Sequence, residues 1–245
     1  MAQYAVIVVA AGKGERFGGA ENKVFAKVDG RAMFLRSLEA FVNRDDVCQT
    51  ILVVSPADDQ QVRDKFGANL GFMGVQLATG GAERSDSVFN ALADVRDDAD
   101  YVAIHDAARP CISQTLIDTL FAEAPKSGAV IPAAPIFGTL KQIGESGVVE
   151  STVSRVDLWE AQTPQVFKRS LIREAYDKRG DFEGTPTDDA QLVEALNHPV
   201  SVVESNFTNI KITGKSDLVL ANAIIRTLPK SAPKSPLSPF EEAQW

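Results

Sequence analysis

Apolar runs alternate with helical segments along most of the chain. The first run, YAVIVVA at 4–10, is rich in β-branched residues, as is typical of a strand buried on both faces. Runs of the same kind recur at 50–55, 101–106, 128–134 and 200–205. Helical periodicity is found between them at 31–44, 57–66, 83–95 and 113–124. This alternation predicts an α/β fold with a Rossmann-like, mostly parallel sheet flanked by helices, which binds ligands outside the carboxyl ends of its strands.

The alternation changes after about residue 135. Residues 137–155 form short alternating segments around the turn sequence GESG, and they contain few large apolar side chains. This pattern predicts a β-hairpin arm that projects from the domain and is stabilised by a second copy of the chain, so that the protein would be a homodimer. The periodicity alone leaves open a hairpin that folds back on its own domain.

Helical patterns return at 169–179, 187–196 and 215–228, and a tail rich in proline, serine and lysine follows at 229–245. One core is ordinary for a chain of 245 residues. We therefore expect residues 1–228 to form a single domain and the tail to be a flexible extension.

The charge balance limits the possible partners. The formal net charge is −8, so no overall positive field attracts nucleic acid or an anionic membrane, and local cations must hold any phosphate ligand. The two cysteines, Cys48 and Cys111, are too few for a disulfide framework and lack metal-ligand spacing. The opening MAQYAVIVVA has no basic region, and its apolar run is too short for a signal peptide or a membrane span. We expect a cytoplasmic protein.

The stretch VVAAGKGERFGGAENKVF, residues 8–25, combines several glycines with cations. A Walker A loop requires Lys and then Ser or Thr after its last glycine, and that pair is missing here. The dinucleotide motif G-x-G-x-x-G fails because Phe17 stands at its third glycine. What remains is a loop whose small residues let backbone N–H groups approach a nucleotide, while Arg16 and Lys23 neutralise its phosphates. A glycine-rich surface turn with incidental charges is the plainer interpretation.

Several separated motifs resemble one enzyme family. The loop AAGKGERF with the later NK resembles the signature of the sugar-nucleotidyltransferase superfamily. The further motifs are GGAERSDSV (80–88), HDAARP (105–110), WEAQTPQVF (159–167), TDDA (187–190) and NIKIT (209–213). In this order, from residue 4 to about 228, they resemble the 2-C-methyl-D-erythritol 4-phosphate cytidylyltransferases of the non-mevalonate isoprenoid pathway.

The resemblance implies a reaction, a cofactor and a site. CMP would pass from CTP to 2-C-methyl-D-erythritol 4-phosphate with the help of Mg²⁺ or another divalent cation, and the arm would be swapped between two subunits. The implied catalytic residues are Arg16, Lys23, Arg155 and Lys211. The implied CTP-binding residues are Ala10, Ala11, Gly12, Gly81 and Ser87. The implied residues for the polyol phosphate are Asp106, Arg109, Thr139, Thr163 and Thr187, with Asp106 also as the metal ligand.

The loop departs from the family pattern next to its lysine. Where relatives usually have Pro-Lys-Gln, this chain has Asn22, Lys23 and Val24. This altered loop leaves open a nucleotide-binding regulatory protein that has lost catalysis. A cytidylyltransferase for another polyol phosphate, such as ribitol 5-phosphate, also stays open, because such enzymes share most of these motifs.

Three further polar residues invite a chemical role. Asp188 and Asp189 could form a metal pair, but their position at the start of a helix favours capping. His105 could be a general base. The implied nucleophile, a phosphate monoester, is already ionised near neutral pH, so we expect a structural role for His105.

Overall fold

The computed structural model describes residues 1–12, 14, 17 and 22–229. Its strands are β1 Tyr4–Val9, β2 Lys27–Val28, β3 Arg31–Ala32, β4 Val47–Val54, β5 Val75–Thr79, β6 Tyr101–Asp106, β7 Ala129–Pro135, β8 Leu140–Ile143, β9 Val149–Val153, β10 Trp159–Ala161, β11 Gln165–Lys168 and β12 Ser201–Glu204. Its α-helices are α1 Met33–Glu39, α2 Asp59–Phe72, α3 Arg84–Ala93, α4 Gln114–Ser127, α5 Arg169–Asp177, α6 Ala190–Glu194 and α7 Lys215–Thr227.

Most of the strands form one sheet in the order β10-β7-β11-β6-β1-β4-β5, with β12 beside β7. The neighbours of β1 and the pair β4–β5 are parallel, as is the pair β7–β12, whereas β10 and β11 run antiparallel to their neighbours. The prediction of a mostly parallel sheet flanked by helices is confirmed. The antiparallel strand β11 was not predicted; it is four residues long and too short to show a clear period.

The core lies on both faces of this sheet. In β1, Tyr4, Val6 and Val8 pack on one face, and Ala5 and Ile7 pack on the other. Side chains of α1, α2 and α4 cover the first face, and side chains of α3, α5 and α6 cover the second. A strand buried on both faces must be apolar throughout, which is why the run at 4–10 shows no alternation.

The hairpin predicted at 137–155 is present. Strands β8 and β9 pair with each other in a separate two-stranded sheet. Most side chains from residue 137 to residue 160 are exposed, and the exposed set includes Val148 and Val156. The hairpin is therefore largely exposed in the single chain, and its role as an arm that pairs with a second copy stays a prediction.

Helix α7 packs against residues near the end of β6. Its Ala221 shares a small cluster with Ala108, Cys111 and Ile212. This packing fixes the segment around Ile212 next to the carboxyl edge of the sheet. No helix in the described part of the chain has the length and apolar character needed to cross a bilayer. The expected flexible tail lies outside the described residues from 230 onward.

Candidate active site

The segment after β1 runs beside the segment after β5. The backbone N–H of Ala10 donates to Val53, and that of Gly80 donates to Val54, so both segments leave the sheet at the same edge. A Cβ atom placed on Gly80 would lie 2.6 Å from the Cβ of Ala11. Glycine is therefore required at position 80 for this close approach. The predicted CTP-binding residues at 10–12 and at 81–87 are thus brought together.

Ser87 closes the loop that precedes α3. Its hydroxyl accepts a hydrogen bond from the backbone N–H of Gly81 at 3.1 Å and donates one to the carbonyl of Glu83 at 3.0 Å. Glu83 and Asp86 form a reciprocal capping box at the start of the helix. The described loop is therefore held in one shape by its own hydrogen bonds.

Asp106 ends β6 between two cations. Nε of Arg84 lies 3.2 Å from its Oδ1, and Nζ of Lys211 lies 2.7 Å from its Oδ2. Although burial by itself would raise the pKa of this carboxyl, the charges of Arg84 and Lys211 outweigh it and hold the pKa well below its usual range. Asp106 is therefore a carboxylate at neutral pH, and it fixes the position of Lys211.

Arg84 is a site residue that the sequence analysis missed. Its two terminal nitrogens donate to the two oxygens of the fully buried Asp189, at 3.1 and 2.7 Å, and its Nε reaches Asp106. The hydroxyl of Tyr176 also donates to Asp189. The available signal was that Arg84 and Asp189 stand inside two of the quoted motifs, GGAERSDSV and TDDA.

The capping prediction holds for one aspartate and is wrong for the other. Oδ1 of Asp188 accepts from the backbone N–H of Gln191 at 3.1 Å, as a cap does. Asp189 makes no capping hydrogen bond; its side chain points into the protein and pairs with Arg84. A buried carboxylate requires a charged partner, and the local sequence does not show that one is in reach.

Lys23 approaches the same region from the opening loop. Its Nζ donates to the carbonyl of Ile212 at 3.1 Å. The side chain of Asn22 accepts a hydrogen bond from the N–H of Val24 and donates one to Asp58 at 2.8 Å. Val24 is buried in the core. The two unusual neighbours of Lys23 therefore anchor it to the fold. Arg16, the other predicted cation of this loop, lies outside the described residues.

His105, Thr163 and Asp106 share one hydrogen-bond network. The hydroxyl of Thr163 accepts from the N–H of Asp106 at 3.0 Å and lies 3.1 Å from Nδ1 of His105. Nε2 of His105 lies 3.2 Å from the carbonyl of Arg109, so the network assigns the neutral tautomer with its proton on Nε2. Burial lowers the pKa of His105 from the ordinary 6.5 to about 4. The structure agrees with a structural role for this histidine.

Arg109 is buried beside this network. Its terminal nitrogens donate to the carbonyl oxygens of Asn209 at 2.8 Å and Ala161 at 3.4 Å. Nε of Arg109 and Oδ1 of Asn209 have no hydrogen-bond partner in the described structure. The guanidinium therefore ties together the ends of β6, β10 and the 209–212 segment, and it keeps one donor for a further group.

Three predicted residues do not join this cluster in a single chain. Thr139 and Arg155 are exposed on the arm. Thr187 lies before α6, where its backbone N–H donates to the side chain of Gln191. These positions stay predictions.

A divalent cation would find one carboxylate at the centre of the cluster. Among the described residues, no three acidic, histidine or cysteine side chains stand close enough to hold a metal ion. Asp106 donates no proton and has about four lone-pair sites, of which Arg84 and Lys211 use two. Such a site fits an ion like Mg²⁺ that is held by one carboxylate together with substrate phosphates and water.

Comparison with known proteins gives a consistent result. The family model described as 2-C-methyl-D-erythritol 4-phosphate cytidylyltransferase matches residues 4–227. A protein of that name from Rhodopirellula baltica is 41% identical over 91% of this chain and 95% of its own length. One from Alkaliphilus oremlandii is 38% identical over 91% of this chain and 94% of its own length.

Solved structures agree with the sequence comparisons. The crystal structure of 2-C-methyl-D-erythritol 4-phosphate cytidylyltransferase from Thermus thermophilus is similar to this chain with a TM-score of 0.76 and 33% identity, over 92% of this chain and all of that one (100%). The 4-diphosphocytidyl-2C-methyl-D-erythritol synthase from Anaerococcus prevotii gives a TM-score of 0.77 and 28% identity, over 92% of this chain and 96% of its own.

Proposed function

The chain belongs to the 2-C-methyl-D-erythritol 4-phosphate cytidylyltransferase family of nucleotidyltransferases, and we propose the following course for its reaction. CMP passes from CTP to 2-C-methyl-D-erythritol 4-phosphate. The products are 4-diphosphocytidyl-2-C-methyl-D-erythritol and pyrophosphate.

The convergence of two lysines on the segment 211–212, next to Asp106, carries this proposal. Nζ of Lys211 lies 2.7 Å from Asp106, and Nζ of Lys23 lies 3.1 Å from the carbonyl of Ile212. Two cations from distant parts of the sequence thus meet at the carboxyl edge of the sheet. Positive charge of this kind is what a triphosphate and a phosphate monoester need when they are brought together.

The reaction needs alignment more than proton transfer. A phosphate oxygen of the acceptor attacks the α-phosphorus of CTP in line, and pyrophosphate leaves with the electron pair of the broken P–O bond. Because a phosphate monoester is already ionised near neutral pH, no strong general base is required. This agrees with a site in which His105 is buried and neutral and the prominent side chains are Lys23, Lys211 and Arg84.

The two backbone segments at 10–12 and 80–87 are the proposed binding site for the nucleotide. Their close packing leaves backbone groups, rather than long side chains, to face the cytosine ring. A backbone carbonyl accepts a hydrogen bond from the amino group of cytosine and meets a repelling carbonyl in uracil, which gives selection for CTP. The hydrogen bonds of Ser87 keep this loop in the required shape.

Mg²⁺ or another divalent cation would bind to Asp106 and the triphosphate. When it is bound, it supplies charge neutralisation at the α-phosphate. The side chains around this ion would be those of Arg84, Lys211 and Lys23. Arg84 and Lys211 keep the Asp106 carboxylate ionised and oriented, and Lys23 would lie beside the phosphates.

A homodimer would complete the site. Thr139 and Arg155 are exposed on the arm, beside exposed apolar side chains such as Val148 and Val156. A second copy of the chain would cover this apolar surface and bring Arg155 and Thr139 to the acceptor phosphate of its partner. Thr187 and Thr163 would contribute polar contacts to the same substrate. The cytoplasmic location stays a prediction.

An acceptor panel tests the function. Pyrophosphate release from CTP is measured with 2-C-methyl-D-erythritol 4-phosphate and with ribitol 5-phosphate in separate assays. We expect turnover with the first acceptor and at least about tenfold lower kcat/KM with the second, since a polar site rejects an acceptor whose hydroxyls do not match. Activity with ribitol 5-phosphate alone would overturn the proposal. Measurable CTP binding without turnover on either acceptor would favour the regulatory protein.

A further inference from the structure

A line of polar contacts leads from Asp106 into the protein interior. Asp106 pairs with Arg84, Arg84 pairs with Asp189, and Asp189 accepts a hydrogen bond from Tyr176. Tyr176 and Asp189 are buried, with exposed fractions of 1% and 0%. Neither the cluster of substrate-binding residues nor the chemistry described above uses these two side chains.

The geometry of Arg84 is fully determined by its partners. A guanidinium is a planar fork, and here both terminal nitrogens are fixed on the two oxygens of Asp189. With the plane of the guanidinium fixed in this way, its Nε–H points to Oδ1 of Asp106. The Arg84–Asp189 pair therefore fixes the position of the Asp106 carboxylate from the side of the protein interior.

Asp189 is in turn held by groups from two other elements. Tyr176, near the end of α5, donates its hydroxyl to Oδ1 of Asp189. The side chain of Gln165 in β11 accepts from the backbone N–H groups of Asp189 and Ala190, both at 3.0 Å. A buried carboxylate with this many donors keeps one rotamer, because each lost hydrogen bond leaves an unpaired polar group.

We propose that Arg84, Asp189 and Tyr176 are positioning residues which set the place of Asp106 and, through it, of Lys211. This inference rests on the proposed function, in which Lys211 is one of the two cations that bring the triphosphate and the phosphate monoester together. Arg84 also opens α3, directly after the loop at 80–83. The same residue therefore couples the loop proposed for the nucleotide to the carboxylate proposed for the acceptor. A displacement of about 1 Å in such a site can lower the rate by roughly 10²-fold.

Kinetics of Tyr176→Phe provide the first test. The matched control is Tyr4→Phe, because Tyr4 is also buried, at 2% exposure, and its hydroxyl donates to the carbonyl of Phe121 away from the site. We expect Tyr176→Phe to lower kcat/KM for the acceptor about tenfold, which is the effect of losing one hydrogen bond to a charged group. Tyr4→Phe should keep wild-type kinetics.

Double variants show whether the three residues act as one unit. Arg84→Lys keeps the charge but cannot contact Asp189 and Asp106 in a fork, so we expect a loss of roughly 10²-fold. Adding Tyr176→Phe to Arg84→Lys should cost nothing further, since the chain of contacts is already broken. Independent, additive losses would contradict the inference, as would wild-type kinetics of Tyr176→Phe.

Chemical labelling of Lys211 tests the same inference without turnover. An ammonium held by a carboxylate reacts slowly with acetic anhydride, so the labelling of Lys211 is measured by mass spectrometry against Lys215 of the same chain. In Tyr176→Phe we expect the ratio of Lys211 to Lys215 labelling to rise about threefold above that of wild type and of Tyr4→Phe, as the ion pair loosens. An unchanged ratio would overturn the inference. If the wild-type chain shows no turnover, the proposed function fails and the labelling ratio still decides on the positioning role.

Discussion

Lys211 lies 2.7 Å from Asp106, and the carbonyl of the following residue, Ile212, accepts a hydrogen bond from Lys23. The short segment 211–212 therefore links the opening loop of the chain to the carboxyl end of β6. A substitution of Lys23, Asp106 or Lys211 should therefore change the position of charges in the proposed site. Each such substitution is a test of the site.

Lys23→Ala should remove a charge that is proposed to face the reacting phosphates. We expect kcat to fall by roughly two to four powers of ten, as for other groups that stabilise charge in the transition state. Steady-state kinetics with CTP as the varied substrate measure this effect. If kcat stays unchanged and only the CTP KM rises, Lys23 is a ground-state ligand.

His105 should make the stability of the protein depend on pH. Its folded pKa of about 4 lies below the ordinary 6.5 because the ring is buried. The unfolded chain therefore binds a proton between pH 6.5 and 4 that the folded chain does not bind, so stability is full above pH 6.5 and falls as the pH is lowered through this window. The gap in pKa corresponds to roughly 3 kcal/mol.

Urea unfolding at a series of pH values from about 7.5 to about 4 measures this contribution. In His105→Gln the part of the pH slope that belongs to His105 should disappear. The control variant His198→Gln changes the other, more accessible histidine, so it separates the effect of His105 from the loss of any histidine. Equal slopes in all three proteins would contradict the assignment of a buried, neutral His105.

Gly80→Ala should disturb the proposed nucleotide site. The added Cβ would lie 2.6 Å from Ala11 and 2.8 Å from the hydroxyl of Ser87, so the loops must move apart. We expect the CTP Kd to rise about tenfold or more, or the free energy of unfolding to fall by about 1–3 kcal/mol if the strain is not relieved. Calorimetric titration with CTP and urea unfolding measure the two effects. Gly67→Ala in α2 has open space, and it should stabilise the protein by up to about 1 kcal/mol.

Val156→Asp should convert the proposed dimer into a monomer. Val156 is 73% exposed directly after the arm, and a charge there opposes burial against a second chain. Sedimentation velocity at assay concentration should show half the mass, and turnover should fall in parallel. Val219→Asp in α7 is the control, since Val219 is 72% exposed and lies outside the arm. A fully active wild-type monomer would contradict the shared site.

The parallel part of the fold could be predicted because burial on both faces leaves a continuous apolar run. In β1 this run is unmistakable, and the helices that follow it show their own period. Strand β5 has the pattern VQLAT with only Ala78 buried, so its sequence does not stand out. Strand β11 is placed by pairing with β6 and β7, which are remote in sequence.

The sequence can point to a candidate site residue when that residue belongs to a single recognisable motif. Asp106, Lys23 and Lys211 belong to separate motifs; in the structure Lys211 pairs with Asp106, and Lys23 bonds to the carbonyl of the next residue, Ile212. The pairing of Arg84 with Asp189 depends on how α3 and α6 pack on the same face of the sheet, and no local pattern contains it. Asp189 was interpreted as a helix cap for this reason, because its distant partner was invisible in the sequence.

Asn22 occupies a backbone conformation that suits a proline. Its φ of −60° matches the angle that a proline ring enforces, and proline is the residue that the family resemblance leads us to expect at this place. This chain obtains the same geometry from side-chain hydrogen bonds to Val24 and Asp58. A proline would fix this geometry through its own ring, whereas Asn22 depends on a hydrogen bond to the residue at position 58. We therefore expect that family members with asparagine at position 22 have an acidic residue at position 58, and that position 58 varies where position 22 is proline.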